Sequence, residues 1–109
     1  MRPFINLPYR MVEANIPRIV NLGIGIEIYI DNNLLDEVSE KAAGTLGGRL
    51  RGEGIACTLH APFMDLSPGG YDKGVRSLTR EALAKSARIA SELGAKVMVC
   101  HPGYDRWRF

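Results

Sequence analysis

The chain has 109 residues, 14 basic against 12 acidic side chains for a formal charge of +2, and 46% apolar against 24% charged residues. That length holds one small domain, and the balance is that of a soluble globular chain, which excludes a two-domain or disordered reading. The charges are spread along the chain, so no polyanion-binding surface follows from them, and no segment approaches the ~20 apolar residues of a membrane span. Met1-Arg2-Pro3-Phe4 carries no apolar leader, and the expected compartment is the cytoplasm.

The first short apolar run is Phe4 to Leu7. A helical stretch follows around Pro17 to Leu22, with Pro17 at an early helical position and Gly23 as its stop. The second run, Gly25 to Asp31, alternates isoleucines with Glu27, Tyr29 and Asp31, so one face is apolar and the other polar. One helix is expected from about Asn33 to Leu50, capped by Asp31, Asn32 or Asn33, weakened by Gly44, Gly47 and Gly48, and stopped at Gly52 or Gly54.

The third run, Ile55 to His60, halts at Ala61-Pro62, because proline lacks a donor and restricts the residue before it. A loop from Phe63 to Gly74 contains Ser67-Pro68-Gly69-Gly70 and is too long for a minimal connection, which marks it as functional. Gly69-Gly70 reads as a turn, since no phosphate-binding motif accompanies it. Val75, Leu78, Ala82, Ile89 and Leu93 then fall at helical spacing before Gly94, with Arg76, Arg80, Lys85 and Arg88 expected on the solvated face. The fourth run, Lys96 to His101, stops at Pro102-Gly103. The order βαβαβαβ argues for a parallel sheet of four strands with three helices, because parallel neighbours need crossovers of this length.

Only two histidines exist, and each ends a strand immediately before a proline turn: His60-Ala61-Pro62-Phe63 and His101-Pro102-Gly103-Tyr104. Parallel neighbours lie about 4.8 Å apart, so adjacent strands three and four would let both imidazoles face one ion. Strand carboxyl ends are where α/β folds place their sites. By period two, His60 shares a face with Thr58, and His101 with Val97 and Val99, while Leu59, Cys57, Cys100 and Met98 face the helices. Cys57 and Cys100, without CxxC spacing, read as reduced core thiols. With Glu27, Tyr29 and Asp31 on the inner face, the mouth would gather two imidazoles, two carboxylates and a phenol, a set suited to a divalent metal at His60 and His101 and to acid/base work by Glu27 and Tyr29. The competing reading has each histidine capping its strand on a loop carbonyl.

Four stretches together resemble the xylose isomerase-like barrel superfamily, which includes sugar-phosphate isomerases and epimerases and endonuclease IV-type nucleases. They are Ile26-Glu27-Ile28-Tyr29, His60-Ala61-Pro62-Phe63, Ser67-Pro68-Gly69-Gly70-Tyr71-Asp72, and Leu93-Gly94-Ala95-Lys96 leading to His101-Pro102-Gly103. The resemblance implies that residues 1–109 form the first half of a TIM-type barrel, with His60 and His101 at its metal-binding mouth and a zinc or manganese ion held weakly. It also implies a small sugar or sugar-phosphate substrate. An eight-stranded barrel takes about 250 residues, so the expectation is an incomplete catalyst with Asp105, Asp65 or Glu27 as third-ligand candidates. A nuclease-like fragment is the alternative, with Arg10, Arg106 and Arg108 as its phosphate contacts, although nucleic acid is disfavoured by the modest basic excess. A third alternative is a non-catalytic truncated chain that folds by dimerising. Homo-oligomerisation is expected in any case, to hide the open sheet.

Overall fold

A computed structural model describes residues 2–103, so Asp105, Arg106 and Arg108 lie outside the described residues. Strand β1 (Phe4–Pro8) leads into helix α1 (Tyr9–Leu22), then β2 (Gly25–Tyr29), α2 (Asn32–Glu37), α3 (Glu40–Gly52), β3 (Cys57–His60), α4 (Lys73–Leu93) and β4 (Met98–Val99). The four strands pair in chain order, all parallel. Parallel order with a helical crossover between successive strands is the architecture of half a (β/α)-barrel.

The alternation in β2 decides which face is covered. Ile26, Ile28 and Ile30 are buried with Cys57, Leu59 and Ala61 of the neighbouring strand, beneath Val12, Ile16 and Ile19 of α1, Leu46 and Leu50 of α3 and Ile89 and Leu93 of α4. The opposite face carries Asn6, Glu27, Tyr29, Thr58, His60, Val97 and Val99, and no helix covers it among the described residues.

Several boundaries differ from the sequence expectation. Helix α1 begins at Tyr9, directly after β1, which leaves Pro17 inside the helix instead of near its start; its ring faces out while Ile16 and Ile19 beside it are buried. The single helix expected over 33–50 is two, which makes four helices among the described residues: Val38 is extended at φ −75°, ψ 124°, and 7% exposed, and Ser39 restarts the helix by accepting from the Ala42 N–H at 3.0 Å. Two N-caps, Asp31 and Ser39, bracket that break. Strands two, three and four are shorter than the apolar runs that contain them, and β4 is only two residues long.

Gly47 shows why α3 tolerates its glycines. A Cβ there would run into the Glu92 carbonyl oxygen and lie 2.9 Å from the Leu93 Cα, so its absence lets α3 approach the backbone of α4. Arg88 to Glu40 at 3.2 Å ties the same helices at the surface. Arg76 departs from the solvated helix face expected for it: half-buried, it donates to the Gly70 and Tyr71 carbonyls at 2.8 and 2.6 Å and anchors the preceding loop. Gly94 ends α4 in the left-handed conformation at φ 76°, as its position predicts.

Candidate functional site

Register builds the site. Tyr29 stands opposite His60, and His60 opposite Val99, so the three lie on one face at the carboxyl ends of their strands. Ladder bonds from the Leu59 and Ala61 amides to the Val97 and Val99 carbonyls, both at 3.0 Å, hold β3 against β4 there. His101 lies two residues beyond the end of β4, yet its Nε2 comes within 3.0 Å of His60 Nε2. The two histidines that the sequence sets apart by 41 positions therefore meet.

His60 Nδ1 is 2.8 Å from the Ala61 carbonyl oxygen. A carbonyl only accepts, so Nδ1 carries the proton and Nε2 presents a lone pair; in the neutral pair His101 Nε2–H donates to it. The expected loop-carbonyl cap is thus present on Nδ1 of His60, while Nε2 is engaged by His101. Orientation of one imidazole nitrogen by a carbonyl is the arrangement that aims the second at a metal.

Aromatic packing fixes the ring positions. Phe63 stacks on His101 at 4.3 Å and 13°, meets His60 edge-on at 5.5 Å, and leaves Tyr29 tilted 6.0 Å away; Tyr29 and His60 are edge to face at 5.4 Å. Sequence reasoning gives Phe63 no role beyond the proline turn, and its place one residue after Pro62 is the signal that could have marked it as a site residue. Burial raises the Tyr29 phenol above its ordinary value of 10.0, with the Asp31 carboxylate adding to the effect.

Glu27 is on the same face, paired in register with Thr58, and so about 7 Å deeper than Tyr29 at ~3.3 Å per strand residue. Asn6 donates to its Oε2 at 3.1 Å, a partner that sequence reasoning missed because the register between β1 and β2 is a tertiary fact. Asp31 is not a second mouth carboxylate: the strand ends at Tyr29 and Asp31 caps α2 by accepting from the Leu34 N–H at 2.8 Å. Asp65 occupies a turn at φ 61° and is exposed. Cys100, expected in the core, is exposed on β4's flank, whereas Cys57 is buried.

Two imidazole nitrogens 3.0 Å apart fit a divalent ion as donors, since zinc ligands at about 2.0–2.1 Å in tetrahedral array stand roughly 3.3 Å from one another. Neither Glu27 nor Asp65 completes them, for no group of three or more His, Cys, Asp or Glu side chains that could hold a metal occurs among the described residues. Two donors alone hold an ion weakly.

Residues 19–108 match the family described as Xylose isomerase-like TIM barrel. The chain belongs to this family. Among solved structures of similar fold, a Thermus thermophilus protein soaked with ZnCl2 superposes with a TM-score of 0.81 at 32% identity, covering 96% of this chain and 41% of the other. A D-tagatose 3-epimerase-like protein superposes at 0.72 with 28% identity, covering 95% of this chain and 39% of the other. Two uncharacterized proteins of Methanocaldococcus jannaschii are 42% identical over 50 residues and 31% identical over 52, which is 46% and 48% of this chain but 17% and 21% of theirs. This family member thus spans about two-fifths of the solved chains and matches about a fifth of the curated ones.

Proposed function

We propose that His60 and His101 are two ligands of a divalent ion, zinc or manganese, in a barrel that isomerises or epimerises a small sugar or sugar phosphate. The observation that carries this reading is the 3.0 Å approach of the two Nε2 atoms with His60 Nδ1 secured on the Ala61 carbonyl. A bound ion would polarise the substrate's hydroxy-carbonyl unit as a Lewis acid. The Tyr29 phenol, protonated at neutral pH as any tyrosine is, donates a hydrogen bond to a substrate oxygen at the same mouth. Glu27, with Oε2 engaged by Asn6, has Oε1 left to take or return a proton. Phe63 and Tyr29 offer ring faces to the apolar C–H side of a sugar.

The solved relatives support the choice of chemistry, one by its epimerase-like description and the other by its ZnCl2 soak. The nuclease alternative has less behind it, because Arg10 is already paired with Glu37 at 2.9 Å. Metal titration tests the reading. Zn2+ and Mn2+ binding to the purified chain by calorimetry is expected to weaken at least about tenfold in His60→Ala and in His101→Ala, as loss of one of two donors requires. Equal binding in all three proteins, or none in the parent, overturns it. For the sugar step, deuterium uptake from D2O at the carbon beside a ketose carbonyl is expected with metal-loaded protein and lost in Glu27→Gln; uptake that survives the substitution removes Glu27 from the reaction.

A further inference from the structure

We propose that Thr79, on α4 and outside the mouth, is a positioning residue that places His101 through the turn at Ser67–Gly70. The positional claim stands on its own geometry; its consequence for metal binding rests on the function proposed above.

His101 needs such a device because its own strand does not hold it. The last ladder bond of β4 is the one accepted by the Val99 carbonyl, and His101 lies two residues further on, exposed, with Phe63 stacked on its ring. Its backbone continues into Pro102-Gly103, and that turn rests on Ser67. A Cβ at Gly103 would collide with the Ser67 Oγ and stand 3.0 Å from the Ser67 Cα, and Gly103 takes φ 82°, a conformation that glycine adopts freely. Pro102 contributes its carbonyl oxygen, 3.7 Å from where a Gly69 Cβ would be.

Ser67 is in turn held from the core. Its N–H donates to Thr79 Oγ1 at 2.8 Å, and that hydroxyl donates to the Val75 carbonyl at 2.7 Å. Thr79 is 1% exposed, one of two buried polar residues among the described ones, at a place where valine would fill the same volume. The hydroxyl is therefore the property in use: it satisfies a loop amide that a valine would leave unpaired. Gly70 N–H to the Ser67 carbonyl at 3.2 Å closes the turn, and Arg76 clamps its far end. The connected path Thr79, Ser67, Gly103, His101 runs from the core of α4 to the imidazole.

Imidazole NMR on the full chain reads this directly, as nuclear Overhauser contacts between the His60 and His101 rings without metal, alongside Zn2+ titration. Thr79→Val is expected to abolish the inter-ring contacts and weaken Zn2+ binding about tenfold, the lower end for removal of outer supports of a metal ligand. Thr79→Ser, which keeps the hydroxyl, is expected to retain both. If Thr79→Val does not fold, Ser67→Val supplies the second variant: half-buried in the loop, its added methyl groups push against Gly103 and are expected to produce the same losses. Inter-ring contacts unchanged in folded Thr79→Val or Ser67→Val, or lost in Thr79→Ser, overturn the proposal. Absence of Zn2+ binding by the parent protein would defeat the metal reading alone, since the ring contacts still decide the positioning claim.

Discussion

The two cysteines share a sheet face by period two, yet they occupy opposite environments. Cys57 is buried, its Sγ donates to the Leu93 carbonyl at 3.6 Å, and burial pushes its thiol above 9.0 against the opposing pull of Arg51. Cys100 is exposed just past the end of β4, although Met98, two residues earlier on the same side, still packs against the core. At about pH 8, iodoacetamide is therefore expected to label Cys100 in the native protein and Cys57 only after denaturation, as peptide mass mapping would show; native labelling of Cys57 contradicts its burial. The raised thiol also has a sign in stability. Its contribution is complete below pH 9.0 and fades as pH climbs through the higher folded value, because the unfolded chain ionises first. Residue by residue, the sequence was most informative where backbone chemistry forces the outcome. Proline soon after each histidine closes both runs, and the histidines do meet, although β3 ends at His60 and β4 already ends two residues before His101. Asp31 was read both as an inner-face carboxylate, because period two continues on paper past Tyr29, and as an N-cap candidate ahead of a helical run, and the cap is the role it takes.

At the level of elements, α3 against α4 is the most demanding contact, and its two adjacent glycines have opposite roles. Gly47 faces the backbone of α4 with no room for a methyl group, whereas nothing lies within 4 Å of a Cβ on Gly48, which is exposed. Gly47→Ala is expected to destabilise the fold by about 1–3 kcal/mol through overpacking. Gly48→Ala is expected to stabilise it by about 0.5–1 kcal/mol by removing backbone freedom from the unfolded chain. Urea unfolding of the two variants beside the parent checks the pair, and shifts of the same sign would refute the assignment of faces. From sequence alone both glycines read as weak points in one helix, since which side meets a neighbour depends on packing. The split of that helix was hidden for a related reason: Val38 suits a helical pattern, but burying its side chain and capping with Ser39 favours an extended residue there. The buried isoleucine face of β2 was legible, because strict alternation admits one burial pattern, whereas the strand order came only with the barrel resemblance.

Among the described residues a parallel sheet carries helices on one side only, an arrangement that parallel sheets normally avoid. Its edges are β1 and β4, and apolar side chains stand exposed near both: Phe4, Ile5 and Leu22 at one, Val97 at the other. A two-fold axis running along the strands would set β4 of one copy beside β1 of the other with directions still parallel, so a single operation pairs both edges and turns the open faces toward each other. Eight strands is also the number at which a barrel interior is just filled by side chains. The expected species is a dimer of twice 12.0 kDa by multi-angle light scattering at micromolar concentration. Val97→Lys, which puts a charge on the inner face beside the β4 edge, is expected to shift it toward monomer while the helix-covered core is untouched. A parent protein that is monomeric throughout the micromolar range contradicts the closure, and a dimer indifferent to Val97→Lys places the contact somewhere other than these edges. Closure would also bring a second His60–His101 pair to the same mouth, so dilution to monomer is expected to leave each chain its own two-donor site and to lower the apparent affinity for Zn2+ only if the pairs share an ion.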